Sequence, residues 1–234
     1  SEDDLKVFYK KMEKSYKNIF NNCGLKIVSV DADSGSIGGA ASMEFMVTAD
    51  SGEDSILYTE SGSYAANIEK AISFPTEAKL LRIINGSLIK TPNQKSIHDV
   101  CKQNDFDPTQ IVKVIIYLGK FENKSELPIL VCIRGDQTVN EVKLSNLINR
   151  KNNSNLISLN IIENNPEYTK NLNNPPLGFL GPDLNNETIN KNGNWEKQWL
   201  RIVDNSAYNL SIFISGANEI DHHRVFESWS SIEY

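Results

Sequence analysis

The sequence predicts an α+β fold, and three observations carry that reading. First, Leu5, Phe8, Met12, Tyr16, Ile19 and Phe20 recur at three- and four-residue steps, the period of an amphipathic helix. Second, the runs 114–118 and 128–133 are short, apolar and β-branched, as buried strands are. Third, a helical stripe in Ile97, Val100 and Cys101 and a helical segment at 141–147 are interleaved with strand-like runs. Pro, Gly and Asn turns separate them.

The elements follow in order. Ser1 with Asp4 three residues on resembles a capping box, and Gly24 supplies a stop for the first helix. Strand patterns at 25–30, 43–49 and 56–59 surround a small-residue stretch at 31–42 and a turn at 50–54, which predicts a compact antiparallel hairpin region. A helix is expected at 65–72, ending before Pro75, and another at 96–103 after Thr91-Pro92-Asn93. Asp107-Pro108 starts a single helical turn at 109–112. The buried strands follow, separated from the helix at 141–147 by the turn Arg134-Gly135-Asp136. Residues 147–196 are dense in Asn and Lys, read as composition bias within loops, although 157–162 and 177–180 keep buried-type patterning. Strands at 200–203 and 209–214 close the chain.

The bulk composition narrows the function classes. A formal net charge of -6 over 234 residues argues against a protein that coats nucleic acid with a basic face. It leaves room for one that grips only an RNA end, which needs a few local cations and a pocket. Cys23, Cys101 and Cys132 share no metal-ligand or redox spacing, so a reduced, cytoplasmic setting and no metal site are expected. No apolar run is long enough to cross a bilayer, and no leader pattern opens the chain. Serine-elbow, zinc-protease and cysteine-nucleophile signatures are missing from the sequence.

Two blocks carry a family resemblance. The stretch Asp31 to Glu60 reads DADSGSIGGAASMEFMVTADSGEDSILYTE, with GSYAAN at 62–67. The spacing of Gly35, Gly38 and Gly39 fits neither a P-loop nor a dinucleotide fingerprint, so on spacing alone this is a tight turn before a strand. As a string, Asp31 to Glu69 resembles the segment of bacterial-type prolyl-tRNA synthetases between the second class II motif and the inserted editing domain. Met43 stands where that family usually has His. The second block is sparser: Thr91-Pro92-Asn93, Lys113, Arg134-Gly135-Asp136, the GFLGP loop at 178–182, Asp204, Gly216-Ala217-Asn218 and His223 occur in the order of the family's editing domain.

The resemblance implies a mixed, largely antiparallel sheet or open barrel with surrounding helices over residues 69–234. A helix-and-hairpin strip of the class II aminoacylation domain would occupy residues 1–68. It implies hydrolysis of tRNA mischarged with alanine, with no cofactor for that step. ATP and magnesium would serve proline ligation in a whole synthetase, expected to be a homodimer; this chain alone is not expected to aminoacylate. The implied partner is the tRNA acceptor end, with neither DNA nor membrane.

The residue types suit that chemistry. A proline-sized pocket excludes the smaller alanine by only about 1–3 kcal/mol, so a second hydrolytic site is the physical remedy. The resemblance places Lys113 at the acyl carbonyl or terminal phosphate, although a lysine in such a run is ordinarily a surface residue on a strand edge. Gly178 and Gly181 would offer backbone N–H groups and help size the substrate, with Pro182 as a further substrate contact, where a plain turn is the alternative. Asp204 and His223 would orient water or ribose hydroxyls, where a structural hydrogen bond is the alternative. Thr91, Ile97 and Val100 would bound the substrate, where a helix cap for Thr91 and core packing for Ile97 and Val100 are the alternatives, and Glu44 and Phe45 belong to the synthetase strip. A non-catalytic acceptor-end binding module and a free-standing deacylase remain the alternative functions.

Overall fold

The computed structural model describes residues 1–33, 42–72, 74–82, 88–189, 195, 199–230 and 232. The glycines at 35, 38 and 39 lie outside the described residues. The chain forms two compact units, residues 1–73 and residues 74–234.

In the first unit, α1 (Glu2–Asn22) starts as the sequence dictates. The Ser1 side chain accepts from the Asp4 amide while Asp4 reaches back to the Ser1 backbone, and Glu2, Asp3 and Asp4 sit at the positive end of the helix dipole. The helix ends where Gly24 takes φ +76° and Leu25 N–H donates to the Phe20 carbonyl. Among the described residues a four-stranded sheet follows in the order β2-β1-β4-β3, with β1 Ile27–Ala32, β2 Ser42–Val47, β3 Ile56–Tyr58 and β4 Ala65–Asn67. Phe45 of β2 meets Tyr16 and Phe20 of α1 at ring-centroid distances of 5.3 and 6.0 Å.

The helix expected at 65–72 is a strand instead. Leu57 pairs with the buried Ala66, which also bridges Asp31 in parallel. Tertiary pairing here outweighs the high helix propensity of two alanines.

The second unit holds two sheets among its described residues. One has the order β8-β6-β7-β9, with β6 Val112–Phe121, β7 Glu126–Arg134, β8 Leu156–Ile161 and β9 Leu200–Val203. The other has the order β10-β11-β5, with β5 Leu88–Lys90, β10 Phe213–Gly216 and β11 His222–Phe226. Pairing is antiparallel except for β7 with β9, so the α+β, mainly antiparallel expectation holds. A parallel bridge between Ile111 and Ile214, and the buried bond from Ser215 Oγ to the Val112 carbonyl at 2.8 Å, tie the sheets together at the head of β6.

Strand β6 alternates as its sequence implies. Val112, Val114, Ile116 and Leu118 face the larger core with Trp199, Phe213 and Trp229, while Ile115 and Tyr117 face α3 (Glu141–Lys151) through Leu144 and Ile148. Lys113 therefore has the parity opposite to Val112 and Val114, as expected.

The turn expected at 109–112 is a 3-10 turn at Pro108–Gln110, capped by Asp107, and Val112 already belongs to β6. The strand expected at 209–214 begins only at Phe213, because α5 (Asn205–Tyr208) precedes it. β5 and β11 are too short and polar to announce themselves by period. Within the Asn-rich segment residues 147–189 and 195 are described, and its asparagines have work beyond composition. Asn165 and Asn185 each cap a helical turn by accepting a backbone amide at 167 and 187.

Candidate functional site

At the junction of the two sheets of the second unit lies a cavity of about 270 Å³. It is lined by the head of β6 (residues 111–115), by Lys95, Ser96, Ile97 and Val100 at the start of α2 (Ile97–Asn104), and by Glu163, Gly178, Leu180, Gly216 and His223. The volume is at the small end for a ligand site and suits an amino-acid-sized group.

Lys113 is half-buried in this wall, and its Nζ reaches the Gly135 carbonyl at 3.5 Å, the limit of a hydrogen bond. Burial lowers its pKa from the ordinary lysine value, opposed by the negative charge of Asp136. Asp136 is itself held by the buried Arg134, whose Nε and Nη2 donate to its two oxygens at 2.6 and 2.8 Å. That fork keeps the Asp136 carboxyl below its usual range. Asp136 is thus engaged by Arg134 and biases the Lys113 ammonium through its charge. Composition gave no sign of this three-residue arrangement, although the turn Arg134-Gly135-Asp136 was visible.

His223 lies in the central strand β11, paired with Gly216 on one side and Ile89 on the other. Its Nδ1 shares a 2.7 Å hydrogen bond with the Thr91 hydroxyl, and Phe179 meets the ring edge-on at 5.6 Å. Thr91 is 0% exposed, and Ser96, not Thr91, caps α2. The helix-cap alternative for Thr91 is therefore set aside: its hydroxyl orients His223. Burial pushes the His223 pKa down to about 4, so the ring is neutral at neutral pH, with Nε2 as the nitrogen available to a bound molecule. The neighbouring His222 has a side chain only 18% exposed, and its Nδ1 meets the Ile220 carbonyl at 2.9 Å.

The GFLGP loop runs along the far wall. Gly178 has φ +88°, a left-handed conformation open to glycine, and the stem of Lys95 lies against its bare Cα. A Cβ on Gly216 would overlap the carbonyl of Phe179, so the loop lies flush on the backbone of β10. Asn218, itself at φ +58°, clasps the loop at three points. Its Oδ1 accepts from Gly181 N–H at 2.7 Å, its Nδ2 donates to Asp183 at 3.0 Å, and its N–H donates to the Phe179 carbonyl at 3.0 Å. Arg224 pairs with Asp183 on the other side.

Two expectations need correction here. The Gly181 amide is committed to Asn218 and the Phe179 amide to the Pro176 carbonyl, so neither serves as an oxyanion donor. Pro182 is buried beneath the loop with its carbonyl bonded to Arg201, and lies outside the cavity lining.

Asp204 is also placed elsewhere. Its Oδ1 accepts from Ser206 N–H at 2.9 Å as the cap of α5, and its own amide bonds the Cys132 carbonyl. A carboxylate engaged as a cap of a short turn has a structural task, the alternative raised for it from sequence. Glu44 is exposed on β2 and Phe45 packs on α1, both in the first unit. The cavity thus gathers Lys113, Gly178, Ile97, Val100 and His223, with Thr91 behind His223. The sequence reading missed Lys95, Glu163 and the packing role of Gly216. A charged residue in a polar loop has no period to reveal it.

Among the described residues no group of three or more His, Cys, Asp or Glu is placed to hold a metal ion, and no helix is long and apolar enough to cross a membrane.

The cavity, on an α+β scaffold, is walled largely by apolar side chains and holds the half-buried Lys113 and the neutral His223. The sequence model described as the aminoacyl-tRNA editing domain matches residues 91–232, which contain every lining residue of that cavity, and the chain belongs to this family. It is 62% identical over 233 residues to the proline–tRNA ligase of Prochlorococcus marinus strain MIT 9515, covering 100% of this chain and 39% of the relative. It is 60% identical over 230 residues to that of strain MIT 9312 (98% and 38%) and 49% identical over 232 residues to that of strain NATL1A (99% and 39%). The chain spans about 39% of the length of these relatives.

Proposed function

We propose that residues 74–234 hydrolyse the ester linking alanine to the 3′ end of a proline-accepting tRNA, editing in cis within a proline–tRNA ligase. The observation that carries this reading is Lys113, a half-buried ammonium in a wall of apolar side chains, opposite a histidine held neutral. An aminoacyl ester is already activated, so its hydrolysis needs positioning and charge stabilisation more than a strong nucleophile. In this reading Lys113 stabilises negative charge developing on the ester carbonyl. Ile97, Val100 and Leu180 bound the alanine methyl, and His223 Nε2 orients the ribose hydroxyl or the attacking water. Water adds to the carbonyl carbon, the bond to the ribose oxygen breaks, and alanine and tRNA with a free terminal hydroxyl are released.

Residues 1–68 serve in this reading as part of the class II aminoacylation domain, with Glu44 and Phe45 in its strip. The whole ligase joins proline to tRNA as a cytoplasmic homodimer, using ATP and magnesium for that step and none for ester hydrolysis. The test is release of labelled amino acid from Ala-, Pro- and Cys-charged proline tRNA by this chain. Alanine release with proline spared is the expected result. Tight tRNA binding without turnover would replace the hydrolase by an acceptor-end binding module.

A further inference from the structure

We propose that Glu163 is the substrate-binding residue that holds the α-ammonium of the aminoacyl group, an inference that rests on the ester-hydrolysis reading of the cavity. Among the residues lining the cavity Glu163 alone carries a carboxyl group, against two lysines, Lys95 and Lys113, and the neutral His223. An aminoacyl ester brings a carbonyl that seeks a cation and an amine that carries a proton in much of the population near neutral pH. Lys113 attracts the first and repels the second, so a bound aminoacyl group is oriented with its amine away from Lys113. A carboxylate in the same lining is the group that such an amine requires.

The state of Glu163 agrees with a waiting partner. Its side chain is accessible to a ligand, yet the surrounding protein raises its carboxyl pKa, opposed by the charge of Lys95. Among the described residues no hydrogen bond and no close ion pair engages its carboxylate. The other carboxylates around the cavity are spent: Asp136 on Arg134, Asp183 on Asn218 and Arg224, Asp204 on Ser206. Glu163 follows β8 directly, in the 3-10 turn Ile162–Asn164, where the fully buried Ile162 anchors it to the core. That anchoring makes it a fixed feature of the wall.

The experiment compares the wild-type chain and Glu163→Gln on Ala-tRNA and on N-acetyl-Ala-tRNA, which keeps the ester and loses the ammonium. Loss of a charge-assisted hydrogen bond predicts a rise in KM of about tenfold for Ala-tRNA with kcat within twofold. On the acetylated substrate the two proteins are expected to agree within twofold. Glu163→Asp, which keeps the charge, restores part of the difference. Equal losses on both substrates, or no loss on either, overturn the assignment. If the wild-type chain releases no alanine, ester hydrolysis itself falls. Binding of a non-hydrolysable alanyl amide of adenosine then judges Glu163 separately, with equal affinity for wild type and Glu163→Gln counting against it.

Discussion

Replacing Gly181 by Ala tests whether the cavity depends on the seat of the GFLGP loop. The added Cβ would sit 2.5 Å from the Gly216 carbonyl oxygen, 2.9 Å from Asp183 Oδ1 and 3.1 Å from Asn218 Nδ2. Ordinary contact begins at 3.4 Å, so the first of these falls roughly 0.9 Å short. The obstructing atom is backbone within β10, paired to β11, and cannot swing aside as a side chain would. The loop must lift instead, stretching the 2.7 Å bond from Gly181 N–H to Asn218 and moving Gly178 and Leu180, which line the cavity. Overpacking of this kind costs about 1–3 kcal/mol, or some 2–4 °C in Tm per kcal/mol for a unit of this size. A displacement near 1 Å in a positioning element lowers turnover by about 100-fold. The assay is kcat/KM for alanine release beside a thermal melt. A variant that melts several degrees lower yet keeps kcat/KM within threefold would refute the claim that this loop positions the substrate.

Three further outcomes are expected. Lys113→Ala lowers alanine release by at least about 100-fold, as loss of an oxyanion-stabilising donor does, while the Tm holds because the variant no longer buries part of a charge; near-normal hydrolysis would remove Lys113 from the mechanism. Asp204→Ala costs about 1 kcal/mol by uncapping α5 and leaves kcat within twofold, which a melt and the same assay check together; a large fall in kcat would return Asp204 to the site. His223, with its pKa pushed from 6.5 to about 4 in the folded chain, binds a proton first in the unfolded chain. Its contribution, about 3 kcal/mol, is therefore present above pH 6.5 and is lost as pH falls toward 4. Denaturant unfolding from pH 7 to 4 is expected to show this slope in wild type and a shallower one in His223→Asn.

Residues with a period or a string-like context were legible, and residues placed by long-range pairing were not. The capping box at Ser1, the stripe of α2 and the two long strands declare themselves locally, because each depends on neighbours within four residues. The segment 65–67 reads as helix until β1 and β3 claim it. β5 and β11 are invisible without each other, since each is a few residues long and gains its stability only by pairing. Lys113 was picked out by its place in a family-like string and its strand parity is as the alternation implies, whereas its electrostatic setting comes from Arg134 and Asp136 across a turn. The same logic separates His223 from Asp204. Both follow the family's order, but only the histidine lies on a strand bordered by Gly216, where the missing side chain lets the GFLGP loop close over it.

That comparison bears on how the site works. Two groups that line the cavity are held by residues outside it, His223 by Thr91 and the glycine loop by Asn218, and Asp136, whose charge acts on Lys113 from outside the lining, is held by Arg134. Each holder is polar, each makes a hydrogen bond at or below 2.7 Å, and none of the three lines the cavity. A hydrolytic site with few reactive side chains depends on such fixed placement, because its rate comes from geometry and preorganised charge more than from an intrinsically strong nucleophile. Substituting a holder should therefore cost turnover without changing the chemical inventory of the cavity. Glu163 is the exception: no side chain fixes its carboxylate, which is the condition expected of a group whose partner arrives with the substrate.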